Sequence, residues 1–457
     1  MTPLNRRQFL RLGATGAALG TLAPLFRCPF LSRSLEAAML GPSPRKMLVI
    51  FLRGGCDGVN TVIPQGDSAY NNGPDSRPNL YLTPEQCIDL NGFAFLHPSL
   101  AKLHEVYLAG DLAVMHRIAY DNQSRSHFSS QQFWENAVPG VEALEEGWIT
   151  RLVDTTAELD GHPFPAASIS NQLQVLFRGD RVLAHVPNLA TYSLGSDDSD
   201  VKLLGVAPTG GGDLGSGLLG VYSRPADSSA YDPLVRDNGL ALGTSLGHLQ
   251  SLGIDPGSYV AENGATYPSG DAPGDFPNNN TAWTFFRQIR HGVQILKETD
   301  CRIVGVELGG LDTHSNQGAL TGGHPDRLHM VAHAVRSLRL DLMNSLWDDS
   351  LVVTLSEFGR TSKENASFGT DHGEASCMFV AGGQVSSQVS NCDSGTWADG
   401  DMFSTPNGRY VAHLTDFRTV LAEIIERHFQ SAASLDTIIP GWSGLSGPKF
   451  DYLNFLP

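Results

Sequence analysis

The chain has 457 residues and a formal net charge of −17, which argues against nucleic acid as a partner, because phosphate backbones are bound by basic surfaces. The same acidic surface repels polyanions at long range, so a phosphate or sulfate ester must be met by a local positive group such as a metal ion. The length suits one large domain with insertions, with enough chain to bury a sizeable core.

The first segment reads as a targeting signal. Asn5 to Arg11, NRRQFLR, resembles a twin-arginine motif, and Leu12 to Phe26 is a Gly/Ala-rich apolar run. That run is too short and too weakly apolar for a stable membrane span. The expected organisation is a twin-arginine signal over 1–45, released within 27–45, and a domain over 46–457. Export would use the Tat machinery and leave the protein periplasmic or secreted. Without Cys28 the cysteines are Cys56, Cys87, Cys301, Cys377 and Cys392, an odd set that leaves one thiol unpaired within a chain. Cys56 reads as a small buried hydrophobe rather than a nucleophile. Cys377 and Cys392 bracket a glycine-rich loop that an oxidising compartment would let them bridge.

Met47 to Leu52 is a β-branched apolar run of the kind found in buried parallel strands, and it leads into Arg53-Gly-Gly-Cys-Asp-Gly58, placing Asp57 at a strand's carboxyl end. A helix is expected from Ser99 to Leu108 and a strand from Leu112 to His116, so that 47–116 has the look of one β-α-β unit. Beyond it, Asp121 to Phe128 carries Ser124, Ser126 and His127 just before a helix-like stretch. The hydroxyls read either as N-cap residues or as nucleophiles activated by a metal. Residues 160–280 are rich in loop-forming types, including the triple glycine within Thr209 to Gly217, and read as an insertion or cap beside the core.

Trp283 to Lys297 has the period of a helix with one apolar face, feeding a strand over Cys301 to Leu308 and then Gly309-Gly-Leu-Asp-Thr-His314. Asp312 and His314 therefore also follow a strand. A further helix over Pro325 to Leu346 carries His329 and His333, which lack the intervening acid of a metalloprotease motif and read as packing or surface histidines. Leu351 to Leu355 is a third apolar strand; Glu357 lies just past it, and Gly369 to Gly373 carries Asp371 and His372. In open α/β sheets ligands collect at the carboxyl ends of strands. One Asp-x-His alone is an ordinary turn, but three such strand ends together point to a divalent cation held by imidazole and carboxylate. A helix over Leu414 to Phe429 closes the domain, and the tail from Ile438 to Pro457 is expected as irregular surface.

RGGCDG, SRSHF, GGLDTH, SEFGR and GTDHG, in this order and spacing, resemble the DUF1501 family of exported bacterial proteins, and with it the alkaline phosphatase and sulfatase superfamily. The resemblance implies an α/β three-layer core with a mostly parallel sheet. It also implies an exported metal-dependent hydrolase of phosphate or sulfate esters, with a small-molecule or glycan ester as substrate. Asp312, His314 and His372 would hold one zinc ion. A second position near Asp57, Glu357 and Asp371 would be weaker or empty and suited to magnesium, calcium or manganese, because Phe358 stands where two-metal members carry a histidine. Ser124, Ser126 and His127 would be the catalytic groups, although Gln123 occupies the position where the superfamily often has its nucleophile. The competing readings are a non-catalytic envelope protein that keeps the fold and a serine esterase, the latter opposed by the lack of a G-x-S-x-G elbow beside the serines.

Overall fold

The structure, a computed structural model, describes residue 45 onward, apart from residues 72–75, 157–158, 160–161, 163 and most of 193–253. The twin-arginine segment and the triple-glycine loop lie outside the described residues. The strands are β1 (Lys46–Leu52), β2 (Val62–Pro64), β3 (Ile88–Asp89), β4 (Ala94–Leu96), β5 (Leu112–Ala119), β6 (Ala166–Ser168), β7 (Ala184–His185), β8 (Ile303–Leu308), β9 (Ser350–Leu355), β10 (Ser376–Ala381), β11 (Gln388–Ser390) and β12 (Thr415–Asp416). The longer helices are α1 (Ala101–Leu108), α2 (His127–Asn136), α3 (Trp148–Thr155), α4 (Asn280–Glu298), α5 (Gly323–Leu342) and α6 (Phe417–Glu423).

A nine-stranded sheet runs in the order β11-β5-β10-β9-β1-β8-β6-β7, with β12 beside β5. At its centre β1 pairs in parallel with both neighbours, Met47 lying opposite Ile303 and Leu351. β10 runs against both β9 and β5, so the fold is mixed α/β with a largely parallel sheet. Strand side chains alternate between faces, and both faces of β1 are buried. Leu48, Ile50 and Leu52 join a core that includes α4 and α5, whereas Met47, Val49 and Phe51 join one that includes α3 and α6. This explains why the strand sequences are continuously apolar rather than alternating.

Several expected boundaries shift. β1 and β5 share the sheet but are separated by β9 and β10, and the chain between them folds into a small sheet of order β2-β4-β3. Two strands of the main sheet, β6 and β7, lie inside the segment read as an insertion, while 254–279 is irregular as expected. The closing helix begins only at Phe417, where Asp416 caps it by accepting from the Arg418 N–H. The tail ends in the core rather than on the surface, with Phe455 and Leu456 buried. The described cysteines are free. Cys377 is buried near Cys56, where Ser376 Oγ donates to the Cys56 carbonyl (2.8 Å).

Two buried histidines make stability depend on pH. Burial pushes both His116 and His324 from 6.5 down to about 3, with Arg117 adding to the effect on His116, and with Asp57 opposing it at His324. Between those values the unfolded chain binds protons that the folded chain excludes, so stability is complete above the ordinary histidine value and is lost as pH falls toward the folded value. We therefore expect the urea midpoint to drop between about pH 7 and about pH 5; a flat profile would contradict neutral burial of these rings.

Candidate metal centre at the strand ends

Because β1, β8 and β9 are parallel neighbours, the loops that follow them share one edge of the sheet. A single side chain gathers these loops. The fully buried Arg360 donates to the carbonyls of Gly55 (2.9 Å), Leu311 (2.9 Å) and Thr370 (3.1 Å), to the carbonyl of Gly54, and to Asp312 Oδ1 (2.7 Å). The close approach requires the glycines after β1. Gly54 and Gly55 have φ of +119° and +80°, and a Cβ on either would run into the Asp312 backbone or the Phe358 ring.

On this platform Asp312, His314 and His372 converge. His314 Nε2 and His372 Nε2 are 2.9 Å apart, and Asp312 Oδ1 lies 3.1 Å and 3.2 Å from them. The other nitrogen of each ring faces an oxygen that can only accept. His314 Nδ1 donates to Asp371 Oδ1 (3.0 Å), itself held by Asn365 Nδ2 (3.0 Å), and His372 Nδ1 donates to the Arg125 carbonyl (2.8 Å). With those nitrogens so engaged, His314 Nε2 and His372 Nε2 face one another and the Asp312 carboxylate. The three atoms form a triangle with edges near 3 Å, a grouping of imidazole and carboxylate that could hold a cation.

His127 belongs to the same cluster. Its Nδ1 donates to Glu357 Oε1 (2.8 Å), leaving Nε2 3.4 Å from Asp312 Oδ2 and otherwise without a hydrogen bond among the described residues. His127, Asp312 and His372 offer ligand atoms within 4.8 Å of one another. Glu357 is buried and its Oε1 also accepts from the Gly54 N–H (2.8 Å) and Gln131 Nε2 (2.8 Å), so it orients His127 from behind. Phe358, fully buried, packs its ring 4.9 Å from His127 and 4.7 Å from His372 and forms an apolar floor beneath them.

Electrostatics reinforce the geometry. Burial raises the Asp312 carboxyl, but Arg360 and the histidines outweigh it and bring it to about 2. Burial likewise works against ionised Glu357, and the hydrogen bonds from His127 and Gln131 hold it below its ordinary value. The same bond to Glu357 holds His127 above its ordinary value, whereas desolvation keeps His372 below.

Other expected site residues lie elsewhere. Asp57, placed by the sequence at a second metal position, has both oxygens on the buried Arg77 (2.6 Å and 3.1 Å), and Oδ2 also accepts from Gln317 (2.6 Å). It is an anchor for the loops rather than part of the cluster, and the grouping of Asp57, Glu357 and Asp371 does not form. Asp371 stands behind His314 and Glu357 behind His127. Ser124 Oγ accepts from the Ser126 N–H (3.3 Å), and Ser126 is the N-cap position of α2 with no side-chain cap bond. His333 Nδ1 accepts from Lys102 Nζ (2.9 Å), so a lysine ammonium takes the place a metal would need beside His329 and His333. Arg360, Gln131 and Asn365 were not singled out from the sequence. Only the position of Arg360 inside a motif, SEFGR, hinted at a role.

The chain is thus a mixed α/β protein with a histidine–carboxylate centre at the carboxyl ends of parallel strands. The family model described as a protein of unknown function (DUF1501) matches residues 277–435, the stretch that carries α4, β8, β9 and β10 with Asp312, His314, Glu357, Asp371 and His372, and it supports the family that the motifs imply. No curated protein matches the chain. Removing the partner of a buried charge is costly, so Arg77→Met should lower unfolding stability by about 3–5 kcal/mol by chemical denaturation. A loss below about 1 kcal/mol, as for a surface pair, would show that Asp57 is not held by Arg77.

Proposed function

We propose that the protein is an exported metal-dependent hydrolase of phosphate or sulfate esters with an alkaline phosphatase-like core. The observation that carries this reading is the approach of His314 Nε2 and His372 Nε2 to Asp312 Oδ1, with His127 Nε2 beside Asp312 Oδ2 and the Nδ1 of each ring already bonded. These four residues would hold one divalent ion, and nitrogen-rich donors favour zinc. When bound, such an ion supplies a Lewis acid for an ester oxygen and the positive charge that an acidic surface otherwise denies an anionic substrate.

The chain's own residues do the positioning. Asp371, Glu357 and the Arg125 carbonyl fix three ring orientations, and Phe358 keeps the floor dry. The start of α2 presents backbone N–H groups beside His127, suited to an anionic oxygen. Of the two serines, Ser126 makes no side-chain hydrogen bond among the described residues, whereas Ser124 Oγ already accepts from the Ser126 N–H, so Ser126 is the hydroxyl we assign to the transferred group.

Protein purified from the exported fraction should contain one tightly bound divalent ion per chain and hydrolyse 4-nitrophenyl phosphate or 4-nitrophenyl sulfate. Metal-free protein that turns over neither ester would leave the non-catalytic envelope reading. Asp371→Asn should weaken ion affinity by about 10–100-fold although it removes no ligand, because outer partners tune their histidines; unchanged affinity by titration would remove Asp371 from that role. Ser126→Ala should abolish turnover while keeping the ion and the fold, and Ser124→Ala should not. For export, changing Arg6 and Arg7 to lysine should trap protein in the cytoplasm; an unchanged exported yield would end that proposal. No helix among the described residues is long and apolar enough to cross a membrane.

A further inference from the structure

Asn280, Trp283, Thr284 and Arg287 recur along α4 at the spacing of one helical stripe. This stripe lines a cavity of about 920 Å³, and Asn280 and Thr284 also border one of about 440 Å³, so the two adjoin along α4 and are treated together as one cleft. The smaller cavity reaches Arg53 and Gly309 at the carboxyl ends of β1 and β8. Arg53 immediately precedes Gly54, whose N–H holds Glu357, and Gly309 lies just before Asp312. From Asn280 to His291 the helix rises about 16 Å, room for a short chain of ring-sized units.

The walls combine fixed ring carbon with uncharged hydrogen-bonding groups. The hydroxyls of Tyr259 and Tyr267 both donate to Asp341 Oδ2 (2.7 Å and 2.8 Å), and Trp283 Nε1 donates to the Phe276 carbonyl (3.1 Å). With their polar ends spent inside the protein, these rings offer the cleft apolar surface at little further entropic cost. The side chains of Asn171, Asn280 and Thr284 line the cleft and make no hydrogen bond to another described residue, leaving donors and acceptors for a ligand. The charged groups nearly balance: Arg53 is paired with Glu307 (3.2 Å), Arg290 donates to the carbonyls of Pro256 and Tyr259, and Arg287 and Asp271 complete the charged lining. Flat carbon beside free amides and hydroxyls complements a sugar ring, which has apolar C–H faces and a rim of hydroxyls. A densely charged polymer finds too few cations here, on a chain of net charge −17.

We infer that this cleft binds a neutral carbohydrate chain. Resting on the hydrolase reading, the ester removed at the strand ends is then one carried by a glycan.

The test is calorimetric titration of the purified protein with neutral linear hexasaccharides of the cello, malto, manno, xylo and chito series, alongside turnover of 4-nitrophenyl phosphate and 4-nitrophenyl sulfate by the same preparation. At least one series should bind saturably, and the Asn280→Ala/Thr284→Ala variant should lose about tenfold or more in affinity through two missing hydrogen bonds. Arg336→Ala, on α5 outside the cleft, should change affinity little. Absence of binding by every series, or full affinity in the double variant, overturns the inference, as does a sulfated heparin fragment binding more tightly than all of them. Hexasaccharide binding without ester turnover would sink only the hydrolase reading, and turnover without hexasaccharide binding would sink only the carbohydrate cleft.

Discussion

The site depends on the buried guanidinium of Arg360. Three loops separated widely in sequence, after β1, after β8 and between β9 and β10, the last carrying Arg360 itself, have carbonyl oxygens at the edge of the sheet that no strand partner satisfies. Arg360 meets the carbonyls of Gly54, Gly55, Leu311 and Thr370 together with the Asp312 carboxylate. The planar fork of an arginine supplies these donors in fixed directions, which a lysine could not. A buried cation of this kind is tolerable only with full pairing. The same requirement pins Asp312 against the histidines.

A second level of order comes from the outer nitrogens of the rings. An imidazole whose Nδ1 is committed to a carboxylate or carbonyl has its tautomer and plane decided before anything binds. Asp371, Glu357 and the Arg125 carbonyl perform this for His314, His127 and His372. Asn365 and Gln131 hold the two carboxylates in turn. The polar network is thereby directed inward, and what it leaves open is one point of concentrated lone pairs.

Charge is organised in opposite senses at the two scales. The chain as a whole is strongly acidic, yet the acids nearest the site are spent: Asp57 on Arg77, Glu357 on His127, Gln131 and Gly54, Asp312 on Arg360. Each is ionised because a specific donor outweighs the cost of burial. A strongly acidic chain and a cluster of imidazole and carboxylate groups coexist for that reason.

Much of the fold was legible in the sequence. The apolar runs of β1, β8 and β9 have no alternation because both faces of the sheet are buried, and continuous burial is itself a pattern. The positions of Asp312, His314, Glu357, Asp371 and His372 at strand ends followed from those runs, as did the helix over 280–298 from its period. What each acid does there was decided only by the tertiary structure. Asp57 occupies the same kind of strand end as Asp312, but Arg77, twenty residues on in an irregular stretch with no period, reaches it first. His127 precedes a helix and reads as catalytic, yet its Nε2 turns toward Asp312 because Glu357, from the loop after β9 more than two hundred residues later, holds the other nitrogen. The insertion of antiparallel β10 beside β9, which returns the chain just after His372, likewise has no local signature. Strand runs are dictated by burial, which adjacent residues record. Ligand roles are dictated by the direction of lone pairs, and that direction is set by partners that only folding brings within 3 Å.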